Sequence, residues 1–278
     1  MDHRTALRQH WSWVVTFLVL LALYVVTLVA TVDTGNPNLV PSLLLLGALV
    51  VPATFVSFAR GWSGPQLVPA TAVAAALFVG GAVGVVLAAL LEYRTLQRIG
   101  TVPMLGVGLI EEGSKLAVAA VFLGVLHRYR SLGAGILVGV AVGTGFAVLE
   151  TMGYGFVALL QSGGDLGALQ QTLFIRGVTS PAGHAAWTGL TCWGLWGLLH
   201  RPSGRRLAQA VGLFALAVLL HTAWDSTGSR TAYVVLAAVS LGLLALALRQ
   251  ARATDEHLAS WSHAVHRERA AERDYLEV

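Results

Sequence analysis

Apolar stretches of about 20 residues recur along this chain and limit the folds that it can adopt. Of its 278 residues, 56% are hydrophobic and 12% are charged, and the mean hydropathy is +0.71. A helix of about 20 mostly apolar residues spans a bilayer, because its backbone hydrogen bonds are satisfied within the segment. The pattern predicts an all-α fold, a polytopic transmembrane helical bundle. We expect about eight spans, near residues 11–32, 38–58, 66–91, 102–126, 132–157, 171–199, 206–226 and 231–249.

Basic residues are distributed unevenly between the two ends of the predicted spans. With both termini in the cytoplasm, 13 arginines lie on the cytoplasmic side and 4 on the other side. Cytoplasmic loops are enriched in basic residues, so this asymmetry favours an N-in, C-in orientation. We interpret residues 1–249 as a transmembrane domain of the cell membrane and residues 250–278, which carry charges of both signs, as a cytoplasmic tail. The first span is too long for a signal peptide, and no A-x-A site follows it.

The remaining composition excludes several classes of protein. The net charge of +4 comes from these arginines, and no basic run interleaves with aromatic residues. We therefore expect the lipid bilayer as a partner and no nucleic acid. Cys192 is the only cysteine, which excludes an intrachain disulfide and a cysteine-based zinc site.

The strongest chemical feature is Glu111-Glu112-Gly-Ser-Lys115 within the fourth predicted span. Ionised groups near the centre of a bilayer cost several kcal/mol, so they mark functional positions. Glu111 and Glu112 precede the only lysine of the chain by four and three residues. On a helix these spacings let both carboxylates reach the ammonium group of Lys115.

Further polar residues lie on three other spans, at depths that converge on the outer half of the membrane. They are Glu150 on the fifth span, His184 on the sixth, and His221 and Asp225 on the seventh. The spacing of His221 and Asp225 places the carboxylate where it can orient the imidazole. Two histidines and four carboxylates at a similar depth predict one shared site.

Glycine and proline residues near these positions predict how the spans pack and bend. Gly135, Gly139 and Gly143 form a stripe on the fifth span, which predicts the close approach of another helix just below Glu150. Pro181 and Gly183 precede His184 and predict a bend in the sixth span.

Three short motifs occur in order on successive apolar stretches. They are Glu111-Glu112-x-x-Lys115, Phe146-x-x-x-Glu150 and His221-x-x-x-Asp225, with His184 between the last two. This arrangement, which covers residues 111–225, resembles the PrsW family of intramembrane proteases. That family is related to the CAAX-prenyl endopeptidases and the bacteriocin-processing Abi proteins. Each motif alone is weak, but the three in this order are specific.

The resemblance implies an intramembrane endopeptidase that acts on a single-pass membrane protein. Proteins of this family are associated with the first, site-1-type cut in a membrane-bound anti-sigma factor, on its extracytoplasmic side. The outer-half position predicted for the polar residues agrees with such a cut.

The resemblance leaves two mechanisms open. In a glutamic mechanism, Glu111 is the general base and Glu112 and Lys115 tune it, while the histidines bind the water or the developing oxyanion. In a metal-dependent mechanism, His184, His221 and either Glu150 or Glu111 hold Zn²⁺. The chain has no local H-E-x-x-H helix, so its metal ligands would come from separate helices. The expected cofactor is therefore none or Zn²⁺.

Two other classes of function use the same residues. A proton- or cation-coupled transporter would use the intramembrane charges as a relay. A non-catalytic scaffold would use them to lock helices together. The order of the motifs favours the protease over both.

Overall fold

The structure, a computed structural model, describes the backbone of residues 11–63, 68–126 and 131–276. Throughout that part, the regular structure is helical, which confirms the all-α prediction. The helices are α1 Ser12–Thr34, α2 Val40–Trp62, α3 Ala70–Ile99, α4 Met104–Val125, α5 Leu132–Gln161, α6 Leu166–Thr179, α7 His184–His200, α8 Gly204–Ser226 and α9 Arg230–Leu276.

Most of these helices have the length and composition of membrane spans. Within the described residues, six segments are long and apolar enough to cross a bilayer. They belong to α1, α2, α3, α5, α8 and the first part of α9. Helix α4 has 22 residues but contains the three charges of the acidic pair and its lysine. The multi-pass membrane class is confirmed, whereas the number of eight spans and the side of the termini stay predictions.

The predicted sixth span is two helices rather than one bent helix. Helix α6 ends at Thr179, a short 3₁₀ turn follows at Ser180–Ala182, and α7 begins at His184. Pro181 has no backbone N–H to continue a helix, and Gly183 adopts the non-helical angles φ −100° and ψ −123°. The single bent helix expected over 171–199 was therefore wrong, although the interruption lies at the predicted residues, and His184 is the first residue of its own helix.

The predicted eighth span and the predicted tail form one continuous helix, α9. Asp255 on this helix is buried, and its two carboxylate oxygens accept hydrogen bonds from the backbone N–H groups of Leu132 and Gly133, each at 3.0 Å. These are free donors of the first turn of α5, so the side chain caps that helix from outside. The cytoplasmic location of residues 250–278 stays a prediction.

Helix α5 forms the centre of the bundle, and it is buried along most of its length. A Cβ atom at Gly139 or Gly143 would collide with the backbone carbonyls of Thr188 and His184 on α7. The close approach predicted from the glycine stripe is thus confirmed, and its partner is α7. On the other side, Gly145 packs directly against the backbone of α3. Because α5 is fixed on both sides, the residues that follow these glycines are held in place.

Candidate active site

The seven predicted site residues come together in one cluster from four helices. Helix α4 contributes the acidic pair and its lysine, α5 contributes a glutamate, α7 a histidine, and α8 a histidine and an aspartate. Hydrogen bonds and ion pairs connect all seven. They are Glu111, Glu112, Lys115, Glu150, His184, His221 and Asp225.

Lys115 is fully buried at the centre of the cluster. Its Nζ atom lies 2.7 Å from Glu112 Oε1 and 3.2 Å from Glu111 Oε2, as the helical spacing predicts. The same atom lies 2.7 Å from His184 Nδ1. An ammonium group has three N–H donors, so these three acceptors satisfy it. The ring of Phe146, with its centroid 4.1 Å from Nζ, covers the remaining side of the cation.

The contacts of His184 favour one tautomer. A protonated Lys115 can only donate, so His184 Nδ1 would accept from it and the ring proton would lie on Nε2. Nε2 lies 2.9 Å from Glu150 Oε2, which would accept from that N–H. The imidazole is consequently held between an ammonium group and a carboxylate, in one tautomer.

His221 has a different environment, because both of its nitrogens face carboxylates. Nδ1 lies 2.9 Å from Glu112 Oε1, and Nε2 lies 3.1 Å from Asp225 Oδ2. Nε2 is also 3.7 Å from Glu111 Oε2. The imidazolium form of His221 would donate to a carboxylate on each side, and the pairing with Asp225 agrees with the predicted orienting role.

The two adjacent glutamates differ in access. Glu112 is fully buried and its Oε1 atom contacts both Lys115 and His221, while its Oε2 atom has no partner among the described residues. Glu111 is 8% exposed. Of the pair, Glu111 is therefore the one with exposed surface.

A cavity of about 350 Å³ opens beside the cluster. Glu150, His184 and Asp225 line it together with Trp224 and Tyr233. Because its wall includes three members of the cluster, a peptide segment in this cavity would lie next to His184.

The donor set also fits a divalent metal ion. Glu111, His184 and His221 each place one ligand atom so that the three atoms lie within 4.8 Å of one another. Two imidazoles and a carboxylate are ligands that Zn²⁺ accepts in catalytic sites. Glu150, the other carboxylate considered as a ligand, is not a member of this group. Coordination by His184 would require that it release Lys115 or Glu150.

Arg176 on α6 belongs to the site but was missing from the residues predicted. Its Nη2 atom lies 2.7 Å from Glu150 Oε2, and its guanidinium carbon lies 4.0 Å from the centroid of the Tyr154 ring. A signal was available, because Arg176 is a charged residue inside the stretch 171–199. Its position near the start of that stretch instead led to its interpretation as one of the four arginines of the outer side.

Trp187 is a second residue without a prior assignment. Its ring stacks on His221, with centroids 4.9 Å apart and an interplanar angle of 25°, and its Nε1–H donates to Ser240 Oγ at 3.0 Å. Trp187 therefore fixes the plane of the His221 ring from α7. A weak signal was available, because Trp187 follows His184 by three residues, in a pattern repeated at His221-Thr-Ala-Trp224.

Comparison with known families agrees with this geometry. A family model described as PrsW family intramembrane metalloprotease matches residues 68–248, which is more than half of the chain and includes every residue of the cluster. No curated protein and no solved structure matches the chain. The chain therefore belongs to the PrsW family of intramembrane proteases.

Proposed function

We propose that this protein hydrolyses a peptide bond of a single-pass membrane protein, with Glu111 as the general base that activates water. The observation that carries this proposal is the position of Glu111. It is the accessible member of a buried acidic pair, and it lies 3.7 Å from His221 Nε2. A carboxylate that water can reach, next to two histidines, has the components of acid–base hydrolysis.

Lys115 and Glu112 keep Glu111 in position. The ammonium group of Lys115 holds Glu111 Oε2 at 3.2 Å and is itself fixed by the fully buried Glu112. This network orients the base before substrate binds, so little reorganisation is required during the reaction.

The histidines supply donors for the charge that develops on the scissile carbonyl. With a protonated Lys115 on Nδ1, His184 would carry its proton on Nε2, and His221 is held by Asp225 and Trp187. Donors that are preorganised around an oxyanion lower the barrier to acyl transfer. We assign Glu150 and Asp225 as the carboxylates that orient His184 and His221.

A metal-dependent mechanism is the second candidate, and the convergence of Glu111, His184 and His221 within 4.8 Å supports it together with the family description. These three residues would hold Zn²⁺. When bound, the ion supplies Lewis-acid activation of water and of the scissile carbonyl. Glu150 and Asp225 would then orient the two histidine ligands, as carboxylates beside metal-bound histidines do.

We infer that the substrate is a membrane-anchored protein cut near the outer half of the bilayer. An anti-sigma factor that undergoes a site-1-type cut is the class suggested by the family resemblance. The predicted orientation, which places α4 and α7 with their polar residues toward the outer face, supports such a position.

The two mechanisms differ in their response to chelation. We would incubate the purified full chain with a panel of single-pass substrates that includes co-encoded anti-sigma factors, and then repeat the assay after chelation and after zinc is restored. Cleavage that survives chelation, with no zinc in the purified protein by elemental analysis, supports the glutamic mechanism. Cleavage that is lost with the chelator and restored by zinc assigns the metal mechanism.

A matched pair of variants tests the base itself. Glu111→Gln keeps the shape of the side chain and removes its basicity, whereas Glu256→Gln makes the same change at an exposed glutamate of α9. Loss of cleavage in the first variant alone supports the proposal. Equal cleavage by both folded variants would eliminate Glu111 as the base.

A further inference from the structure

One arginine in the wall of the active-site cavity has no acidic partner. The acidic residues of this wall are Glu150 and Asp225, and its arginines are Arg176 and Arg230. Glu150 Oε2 lies 2.7 Å from Arg176 Nη2, and Asp225 Oδ2 lies 3.1 Å from His221 Nε2. Arg230 is exposed and forms no ion pair within the part of the chain that the structure describes. Its guanidinium group is therefore the arginine charge of the wall that remains available.

The sequence around Arg230 offers no acidic partner along its own helix. Arg230 is the first residue of α9, and the first turn of this helix contains no acidic residue. The residues three and four positions later are Tyr233 and Val234, which carry no charge, so an ion pair at helical spacing cannot form. Since a guanidinium group stays protonated in proteins, Arg230 presents a permanent positive charge to the cavity.

Contacts between α8 and α9 hold the backbone of Arg230 beside the cavity. Tyr233 Oη donates to the carbonyl oxygen of Thr227 at 2.7 Å, across the connection between the two helices. The ring of Tyr233 also packs against that of Trp224, with centroids 4.8 Å apart. A side chain that starts from a fixed helix end can select a ligand better than one on a free loop.

The size of the cavity places Arg230 close to the reaction. His184 and Arg230 line the same space of about 350 Å³, which lies near the lower end of the range for ligand pockets. A peptide bound there is therefore short. The substrate residue that meets Arg230 must then be close in sequence to the bond that is cut near His184.

We propose that Arg230 selects substrates that carry an aspartate or a glutamate near the scissile bond. The carboxylate would accept hydrogen bonds from the guanidinium group, a charge-assisted pair in which two N–H groups face two oxygens. A lysine or an arginine at the same substrate position would be repelled. This inference rests on the proposed peptidase function and adds a sequence preference that the assignment of Glu111 as the base does not require.

Substitutions in a cleaved substrate test the preference. The bond that the purified full chain cuts would be mapped by mass spectrometry, and the residues on either side of it would be replaced in turn by glutamate, glutamine and lysine. We expect one position at which kcat/KM for glutamate exceeds that for glutamine by about three- to fivefold, because a partly exposed ion pair contributes about that much. Lysine at this position should lower kcat/KM by a similar factor.

Charge reversal in the enzyme tests whether Arg230 is the cause. Arg230→Glu should invert the preference at the same position, so that the lysine substrate is cleaved faster than the glutamate substrate. The matched control is Arg94→Glu, which makes the same change at an exposed arginine of α3 on the same predicted side of the membrane, outside the cavity wall. The control should keep the wild-type preference.

The outcomes separate this inference from the proposed function. If the wild type cleaves the glutamate, glutamine and lysine substrates equally, or if Arg230→Glu keeps the wild-type preference, the role of Arg230 is overturned and the peptidase function stands. An equal loss toward all substrates in Arg230→Glu would also overturn it, because Arg230 would then support the fold or catalysis in general. A wild type that cuts no single-pass substrate counts against the proposed function, and the inference falls with it.

Discussion

Replacement of Lys115 by methionine should destabilise the protein more than a typical core substitution. The methionine has a similar length and no charge, so it leaves Glu112 and Glu111 without the ammonium group that lies 2.7 and 3.2 Å from their oxygens. Removal of one partner of a buried ion pair lowers the free energy of unfolding by about 3–5 kcal/mol. We expect the lower end of that range, about 3 kcal/mol, because His221 still donates to Glu112.

A double-mutant cycle separates the ion pair from packing. Glu112→Gln removes the charge that Lys115 compensates, so the double variant should recover a substantial part of the loss, with a coupling free energy of about 1–3 kcal/mol. The free energy of unfolding would be measured by equilibrium denaturation in mixed micelles, with tryptophan fluorescence as the probe. A buried, ionised Lys115–Glu112 pair would be refuted if Lys115→Met lowered the free energy of unfolding by less than about 1 kcal/mol. It would also be refuted if the effects of the two single substitutions simply added in the double variant.

Three other substitutions test the supports of the site. Gly143→Ala places a Cβ atom against the backbone of α7 and should lower the midpoint of thermal unfolding by an amount equivalent to about 1–3 kcal/mol, whereas Gly153→Ala, where the space is open, should not lower it. Asp255→Ala removes the cap of α5 and should cost about 1–2 kcal/mol in the same assay, and an unchanged midpoint would argue against the cap. Arg176→Gln releases Glu150 and should lower kcat more than KM in the cleavage assay, with partial recovery in Arg176→Lys; an effect on KM alone would assign it to substrate binding.

The residues of the cluster could be predicted because local spacing carries the information. Lys115 and its acidic pair lie within one turn of a helix, and His221 and Asp225 lie one turn apart, so any helical span brings each set together. The glycines of α5 showed in addition that another helix must approach closely just before Glu150. Charged residues inside apolar stretches identified the remaining members of the cluster, because such charges are retained at functional positions.

Local sequence spacing could not predict the helix break before His184 or the role of Arg176. Hydropathy over 171–199 does not separate a bent helix from two helices, and here the missing N–H of Pro181 and the backbone angles of Gly183 end the helix. Arg176 acquires its function only through a contact with Glu150, 26 positions earlier in the chain. The stacking of Trp187 on His221 likewise depends on how α7 packs against α8.

The rate at which the purified Glu111→Gln variant cleaves a single-pass substrate tests the central claim most directly. A general base accelerates the reaction by a factor of about 10²–10⁴. We therefore expect the folded variant to cleave at least about 100-fold more slowly than the wild type. Its unfolding midpoint, measured on the same preparation, would establish that the loss is chemical. A folded Glu111→Gln variant that cleaves at the wild-type rate would contradict the assignment of Glu111 as the residue that activates water.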